Sequence, residues 1–193
     1  MKVLIGCEYS GRVREAFRRR GHDAWSCDIL PSDDDSPFHI RGDVFDALNS
    51  QAWDMAIFFP PCTHIASSGA RWFKDKVKEQ AEALDFVRAL MDADIPRIAL
   101  ENPVGVISSQ IRKPDQIVQP FWFGDKARKT TCLWLKNLEP LTPTQMVDPD
   151  LKSYVNAKGK TITFSADYGV FNTGHRRSLT YQGLADAMAE QWG

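Results

Sequence analysis

The chain has 193 residues, a length that suits one compact domain, and we predict a single domain over residues 1–193. Hydrophobic residues make up 43% of the chain, enough for a real core, and charged residues make up 25%, as in an ordinary soluble protein. The net charge of −1 excludes nucleic-acid binding driven by the charge of the whole chain. Any such binding therefore needs a local basic patch.

Neither the apolar runs nor the cysteines indicate a membrane protein, a metal protein or a disulfide framework. No apolar run approaches the roughly 20 residues that span a bilayer, and the apolar stretch after Met1 is too short for a secretory signal. The four cysteines lie far apart, with no C-x-x-C pair and no histidine cluster at metal-ligand spacing. We therefore expect free thiols, no metal, no membrane contact and a cytoplasmic location.

Apolar runs that alternate with helical patterns predict an α/β fold with a doubly wound, largely parallel sheet. The first strand is predicted at Lys2–Gly6. The apolar periodicity of residues 11–20 predicts a helix, which Gly21 ends. Asp23–Asp28 is a second predicted strand that ends on an acid, and residues 31–41 form a predicted loop with three consecutive aspartates.

The same alternation continues along the rest of the chain. The remaining predicted elements are strand 53–59, helix 74–93, strand 97–101, strand 131–136 and helix 181–192. Pro60-Pro61 stops the strand before it. Residues 138–178 lack a clear period and are rich in Pro, Lys, Asp and Asn. We therefore divide the domain into a core over residues 1–136, an irregular insertion over residues 138–178 and a terminal helical segment over residues 180–193.

The first two predicted strands end in residues suited to a nucleotide-like ligand. A strand that runs into Gly6-x₄-Gly11 and then a helix lets the backbone approach such a ligand closely. Asp28, at the end of the second strand, is placed to hold ribose hydroxyls. A plain strand–helix turn and a solvated loop aspartate are the alternatives.

Cys62 follows the strand at residues 53–59 and two prolines. Ligands bind at the carboxyl edge of open α/β sheets. Neither proline can continue the strand ladder, so both favour an exit that aims Cys62 outward. A thiol has a pKa of about 8.5 and needs a cation or a helix N-terminus nearby to ionise. The alternative is a small buried hydrophobe, but the neighbours are polar and argue against burial: Thr63, His64, Ser67 and Ser68.

Glu101-Asn102-Pro103 closes the next predicted strand. A carboxyl group at that edge faces the same cleft as Cys62, and enclosure would raise its pKa enough to share a proton with a substrate nitrogen. The alternative is structural, with Asn102 capping a helix and Pro103 at the first helical position.

Together these motifs resemble, in order and spacing over residues 1–136, those of the DNA cytosine carbon-5 methyltransferases. Residues 5–11 resemble the turn that binds the methionine part of the cofactor. Asp28 resembles the ribose ligand, and Gly42-Asp43-Val44 the motif whose Asp contacts the adenine amino group. The catalytic motifs are matched by Phe59-Pro60-Pro61-Cys62, Leu100-Glu101-Asn102 and the basic run Lys126-Ala127-Arg128-Lys129. The chain looks closest to the short bacteriophage-type members that lack a full target-recognition domain.

The resemblance implies a Rossmann-like sheet, S-adenosyl-L-methionine as cofactor, and methyl transfer to a cytosine flipped out of DNA. It implies a monomer in the cytoplasm of a bacterial or phage-infected cell. Cys62 would add to ring carbon 6, Glu101 would assist at ring nitrogen 3, and Arg128 would hold the ring carbonyl oxygen. The implied cofactor-binding residues are Gly6, Cys7, Glu8, Tyr9, Ser10, Gly11, Asp28, Ile29, Asp43, Val44 and Pro60. The implied DNA-binding residues are Ser68, Arg71, Lys129, Arg176 and Arg177.

The chain also departs from the family pattern. Thr63 follows the nucleophile where Gln is usual, and the last family motif is missing as such. Full-length relatives carry a separate recognition domain where this chain has the insertion at residues 138–178. The insertion contributes a modest basic set, so we predict a short or relaxed recognition sequence.

Three alternatives stay open at this stage. The near-neutral charge and the absent recognition domain favour methylation of a free pyrimidine nucleotide. The changed basic and terminal motifs allow a non-catalytic relative that binds nucleic acid, although such a relative would need neither Cys62 nor Glu101. A modified sulfonium cofactor that carries a larger group is the third.

Overall fold

The computed structural model describes residues 1–166 and 179–193, so the predicted DNA-binding residues Arg176 and Arg177 lie outside the described residues. The strands in these two ranges are β1 Lys2–Gly6, β2 Asp23–Asp28, β3 His39–Arg41, β4 Met55–Phe58, β5 Arg97–Pro103, β6 Gln116–Val118, β7 Thr131–Lys136, β8 Leu151–Val155 and β9 Thr161–Ser165. The α-helices are α1 Arg12–Arg19, α2 Val44–Asn49, α3 Val77–Met91, α4 Ile107–Gln110 and α5 Gln182–Trp192. Two 3₁₀ helices cover Ser67–Asp75 and Pro120–Trp122.

Seven strands form one sheet in the order β3-β2-β1-β4-β5-β7-β6. Strands β1 to β5 pair in parallel, whereas β7 is antiparallel to both β5 and β6. The chain starts in the middle of the sheet and the strand order reverses between β1 and β4, which opens a crevice at the carboxyl ends of the strands. The predicted fold class, a doubly wound Rossmann-like α/β sheet, is confirmed.

Two apolar clusters cover the two faces of this sheet. Successive side chains of β1 point to opposite faces, so Val3 and Ile5 pack beneath α1 and α5, whereas Leu4 packs against the cluster that includes α3. All three side chains are fully buried. Strands buried on both faces explain why the β1 and β4 sequences are continuous apolar runs without alternation.

The predicted long strands and helices are present, and the short elements are the ones that the prediction missed. The predicted loop at residues 31–41 contains β3, which pairs with the end of β2. The patternless residues 138–178 contain the antiparallel hairpin β8–β9. Elements of three to five residues contain too few turns or alternations to produce a detectable period.

The predicted helix at residues 74–93 was too long at its start. Residues Ser67–Asp75 form a 3₁₀ helix, and Lys76, with φ −133°, interrupts the helical backbone before α3 begins. The terminal helix was predicted correctly to within one residue. In the described residues, no helix has the length and apolar character needed to cross a membrane.

Candidate functional site at the carboxyl edge of the sheet

The residues with predicted chemical roles gather at one edge of the sheet. Strands β1, β2, β4 and β5 are parallel and end at this carboxyl edge. Strand β7 is antiparallel to β5 and therefore begins there, with Thr131 paired to Pro103. The turn after Gly6, Asp28, the segment before Cys62, Glu101 and the basic run before β7 thus share one side of the molecule.

The turn between β1 and α1 depends on backbone conformations and close packing. Cys7 and Gly11 have positive φ angles of 59° and 73°. A Cβ atom on Gly6 would lie 2.6 Å from Phe58 Cδ1 and 2.8 Å from Val44 Cγ2. Because no side chain fits at Gly6, β1, β4 and the start of α2 approach each other closely, and this contact fixes the path of the turn.

Glu8 is the most unusual residue of this turn. Its side chain is almost completely buried, and Oε1 accepts a hydrogen bond from Ser10 Oγ at 2.5 Å. The other carboxylate oxygen, Oε2, is buried without a hydrogen-bond partner. Burial raises the pKa of Glu8, and the Ser10 hydroxyl, the Arg14 guanidinium and hydrogen bonds from the backbone amides of Val13 and Arg12 oppose that rise. An unpaired buried acceptor indicates a missing donor, because leaving one unsatisfied costs free energy.

Asp28 and Asp43 lie close to the same turn. Burial raises the pKa of the Cys7 thiol to about 12, and the carboxylates of Asp28 and Asp43 add to that rise. Asp28 Oδ1 accepts from the Leu30 amide at 2.9 Å, and Asp43 Oδ1 accepts from the Phe45 amide at 2.7 Å. Asp43 is thus the N-cap of α2, a helix-start signal that the sequence interpretation did not use.

The two apolar residues predicted beside these acids differ in exposure. Ile29 is 74% exposed next to Asp28, whereas Val44 is buried at the start of α2. Val44 contributes through its packing against Gly6.

Arg14 is a functional candidate that sequence reasoning missed. Its side chain is fully buried on α1, and its guanidinium donates to Ser26 Oγ at 2.8 Å, to Ser32 Oγ at 3.5 Å and to Asp34 Oδ2. The Asp33 amide also donates to the Tyr9 carbonyl at 2.9 Å. The aspartate-rich loop is therefore fastened to the Gly6–Gly11 turn. The three consecutive aspartates, read together with an arginine on the preceding helix, were the available signal.

A small pocket opens beside this turn. It is lined by Cys7, Glu8, Tyr9, Ser10, Phe59, Leu179 and Thr180. Arg12 Nη1 donates to the Thr180 carbonyl at 2.8 Å and thereby holds the start of the terminal segment against the turn. Residues 179–180, just before the last helix, thus line the pocket together with the turn that follows β1.

Cys62 is exposed, so the alternative of a buried thiol is wrong. Its carbonyl accepts from the amides of Ile65 and Ala66 at 3.2 Å and 2.9 Å, which forms a single helical turn after the prolines. The Ser67 amide donates to the Val104 carbonyl at 2.9 Å and ties this turn to the segment after β5. Backbone hydrogen bonds therefore position the thiol.

Asn102 does not cap a helix, so that interpretation is wrong. It lies in β5, and its Nδ2 donates to the Pro60 carbonyl at 2.9 Å. Its Oδ1 is buried without a hydrogen-bond partner. The side chain therefore cross-links the end of β5 to the segment that carries Cys62.

Glu101 has the electrostatic environment of a proton donor. Burial raises the pKa of its carboxyl group, and the Lys129 ammonium opposes part of that rise. Glu101 in turn adds to the burial-induced rise in the pKa of the Cys132 thiol on β7. A carboxyl group with a raised pKa keeps its proton at higher pH and is able to donate a hydrogen bond.

The two basic residues just before β7, Arg128 and Lys129, have different surroundings. Lys129 is the cation whose charge acts on Glu101. Arg128 is exposed instead, and it binds the β8–β9 hairpin: its amide donates to Ser165 Oγ at 3.1 Å and its Nη2 to the Thr163 carbonyl at 2.9 Å. Its predicted role at the ring carbonyl is not tested by these contacts.

The remaining predicted site residues lie on the segments before and after Cys62. Ser68 and Arg71 are exposed on the 3₁₀ helix that follows Cys62. Pro60 is buried, and its carbonyl is used by Asn102. Among the described residues, no group of three or more His, Cys, Asp or Glu side chains is arranged to hold a metal ion.

No protein-family model and no curated protein matches this chain. Among solved structures, it is similar to one described as a DNA modification methyltransferase encoded within a prophage of E. coli. That match has 17% identity and a TM-score of 0.49, and it covers 78% of this chain and 52% of the other. It is also similar to the 16S rRNA methylase RmtB, with 21% identity, a TM-score of 0.40, and coverage of 69% and 54%. The chain spans about half the length of either protein.

Proposed function

We propose that this protein transfers a methyl group from S-adenosyl-L-methionine to carbon 5 of cytosine in DNA. One observation carries the proposal: an exposed thiol, Cys62, shares a sheet edge with a carboxyl group of raised pKa, Glu101, and with a turn that holds an unpartnered buried carboxylate oxygen, Glu8. The motifs that resemble the cytosine carbon-5 methyltransferases supply these same residues.

The residues beside the β1–α1 turn fit the cofactor. The free Oε2 atom of Glu8 is an acceptor suited to the ammonium group of the methionine part. Asp28, at the end of β2, is suited to ribose hydroxyls, and exposed Ile29 beside it is suited to an adenine face. When bound there, S-adenosyl-L-methionine supplies an electrophilic methyl group on its sulfonium.

The protein's own groups account for activation of the cytosine ring. The Cys62 thiolate adds to carbon 6 while protonated Glu101 donates its proton to ring nitrogen 3, so carbon 5 gains enamine character. Carbon 5 accepts the methyl group and then loses its proton to a base or to water. The electron pair from that bond expels the Cys62 thiolate from carbon 6, and nitrogen 3 returns its proton to Glu101.

Lys129 and Asn102 support this chemistry through their neighbours. Lys129 limits the pKa rise of Glu101, so that the carboxyl group can release its proton as well as hold it. Asn102 fixes the Pro60 carbonyl and hence the approach of Cys62. A cytosine inside a duplex is not accessible to these groups, so the base must leave the helix stack.

The first test is nucleoside mass spectrometry of DNA from cells that lack cytosine methylation and express either the wild type or Cys62→Ala. We expect 5-methylcytosine with the wild type and none with Cys62→Ala. Cys27→Ala is the matched control, because Cys27 is a buried thiol on β2 that the mechanism does not use. Absence of any modified base in the wild type, with activity on free dCMP instead, would replace DNA by a nucleotide substrate.

A second test traps the thiol adduct. In a duplex that contains 5-fluorocytosine, carbon 5 has no proton to lose after methyl transfer, so the Cys62–carbon 6 bond persists. We expect a protein–DNA band that survives denaturing electrophoresis and requires both the cofactor and Cys62. A band of equal intensity with Cys62→Ala would contradict the assignment of the nucleophile.

A further inference from the structure

The β8–β9 hairpin is a basic, exposed ribbon at the site. We call residues 151–165 the basic ribbon. Every residue of β8 is exposed, and the strands pair from Leu151–Ser165 to Val155–Thr161. The ribbon contains Lys152, Lys158 and Lys160 and no Asp or Glu. The ribbon therefore has a net charge of +3, whereas the remainder of the chain carries −4, with Asp148 and Asp150 directly before the ribbon.

The base of the ribbon is fastened to the catalytic edge. The Asp150 amide donates to the Lys126 carbonyl at 2.9 Å, and the Ala166 amide donates to the Asp150 carbonyl at 2.7 Å. Arg128 adds its two hydrogen bonds to Thr163 and Ser165. The anchoring segment ends one residue before Lys129, whose charge acts on Glu101. The ribbon is therefore attached to the chain within one residue of the lysine whose charge acts on Glu101.

The dimensions of the ribbon fit a DNA groove. Five residues per strand at about 3.3 Å each give a projection of roughly 17 Å. The major groove of B-DNA is about 12 Å wide and admits a two-stranded β-ribbon, whereas the minor groove is about half as wide. Lys158 and Lys160 lie in the turn at the free end, and Lys152 lies nearer the base. This spacing places cations at both ends of the inserted segment.

We propose that the basic ribbon enters the major groove of duplex DNA next to the target cytosine, with its three lysines on phosphates. Arg128 is a positioning residue that holds the ribbon at the angle needed for this entry. The inference rests on the proposed function, because that function is what selects DNA among anionic partners. It adds that the substrate is a duplex and that the basic ribbon is the segment that contacts its major groove.

Binding of a fluorescent duplex to the full chain, measured by anisotropy over a range of salt concentrations, tests the lysines. The ribbon variant is K152A/K158A/K160A, and the matched control is K2A/K113A/K136A, which removes three exposed lysines from the opposite edge of the sheet. We expect the ribbon variant to bind at least tenfold more weakly and to reduce the slope of log K against log salt by about 2 to 3. An equal loss in the control would overturn the proposal.

Dimethyl sulfate footprinting tests the groove. Guanine N7 lies in the major groove and adenine N3 in the minor groove. We expect the wild type to protect guanine N7 near the bound site, and the ribbon variant to lose that protection. Protection confined to adenine N3, or equal loss of single-strand and duplex affinity in the ribbon variant, would overturn groove entry.

These experiments separate failure of the inference from failure of the proposed function, because neither requires methyl transfer. Duplex binding with guanine N7 protection but without 5-methylcytosine would retain the ribbon and reject the activity. Methylation of duplex DNA by the wild type, together with unchanged duplex binding by the ribbon variant, would support the proposed activity and reject the role of the ribbon. Binding of RNA or protein by the ribbon in place of duplex DNA would also reject it.

Discussion

The two halves of the carboxyl edge hold their polar groups in different ways. In the β1–β2 half, Glu8 and Arg14 are buried, and the Arg14 side chain ties the aspartate-rich loop to α1 and β2 through hydrogen bonds. In the β4–β5–β7 half, Cys62 and Arg128 are exposed, and hydrogen bonds in which at least one partner is a backbone group position their segments. A small ligand is enclosed by a preformed polar pocket, whereas a large substrate must reach reactive groups at the surface.

The comparison predicts that changes in the first half reduce stability and changes in the second reduce activity. Buried charges lose their partners when one member is removed, which costs far more than losing an exposed contact. Exposed reactive groups have few packing contacts to lose. The four predictions below run from the largest expected effect to the smallest.

Arg14→Met should lower the free energy of unfolding by about 3 kcal/mol, the low end for breaking a buried ion pair, because Asp34 is itself 37% exposed. Urea denaturation followed by circular dichroism measures this change. Arg19→Met is the matched control on the same helix, since Arg19 forms an exposed ion pair with Asp186 and its loss should cost less than about 1 kcal/mol. Equal costs for the two variants would remove the contrast between buried and exposed charges.

Glu101→Gln should lower kcat on duplex DNA about 100-fold, the lower range for loss of a general acid, without weakening cofactor binding. Stability should change in the opposite direction. Because burial raises the pKa of folded Glu101, the folded state loses stability as pH rises through that raised pKa, and Glu101→Gln removes this loss. Denaturation at pH 5 and pH 8 should therefore show a smaller pH-dependent decrease in the variant. A wild-type decrease retained in the variant would assign it to another group.

Gly6→Ala should cost about 2 kcal/mol, because the added methyl group meets Phe58 and Val44. It should also weaken cofactor binding measured by calorimetry, since the turn that follows must shift. Gly42→Ala is the control: no heavy atom lies within 4 Å of its Cβ position and its φ angle is not positive. If Gly42→Ala were as costly as Gly6→Ala, crowding at the turn would not explain the effect.

The sequence was most informative where chemistry and fold use the same residues. Three features were recognisable in the sequence: the continuous apolar runs of strands buried on both faces, the prolines before Cys62, and the Glu-Asn pair. The long-range partners of Arg14 lie 12 to 20 positions away, and no local period encodes such contacts. The short strands of the basic ribbon were missed for a related reason, because five residues are too few to establish a period and β8, which is exposed throughout, has no apolar alternation.

The assignment of the two basic residues before β7 differs from the resemblance and gives the smallest expected effect. The resemblance assigns Arg128 to the substrate ring, whereas the charge that acts on Glu101 comes from Lys129. Lys129→Met should raise the pKa of Glu101 further, because the opposing cation is lost. The alkaline fall of kcat, which reports deprotonation of the acid, should then move to higher pH.

Arg128→Met is the matched comparison for this shift, because Arg128 contacts the hairpin through Thr163 and Ser165. We expect it to weaken duplex binding and to leave the position of the alkaline limb where the wild type has it. A shift in the limb with Arg128→Met but not with Lys129→Met would reverse the assignment and return Arg128 to the substrate ring. The position of the alkaline limb depends on the charge beside the acid and not on the number of DNA contacts. The pH profiles of kcat for Lys129→Met and Arg128→Met therefore distinguish the role of the lysine from that of the arginine.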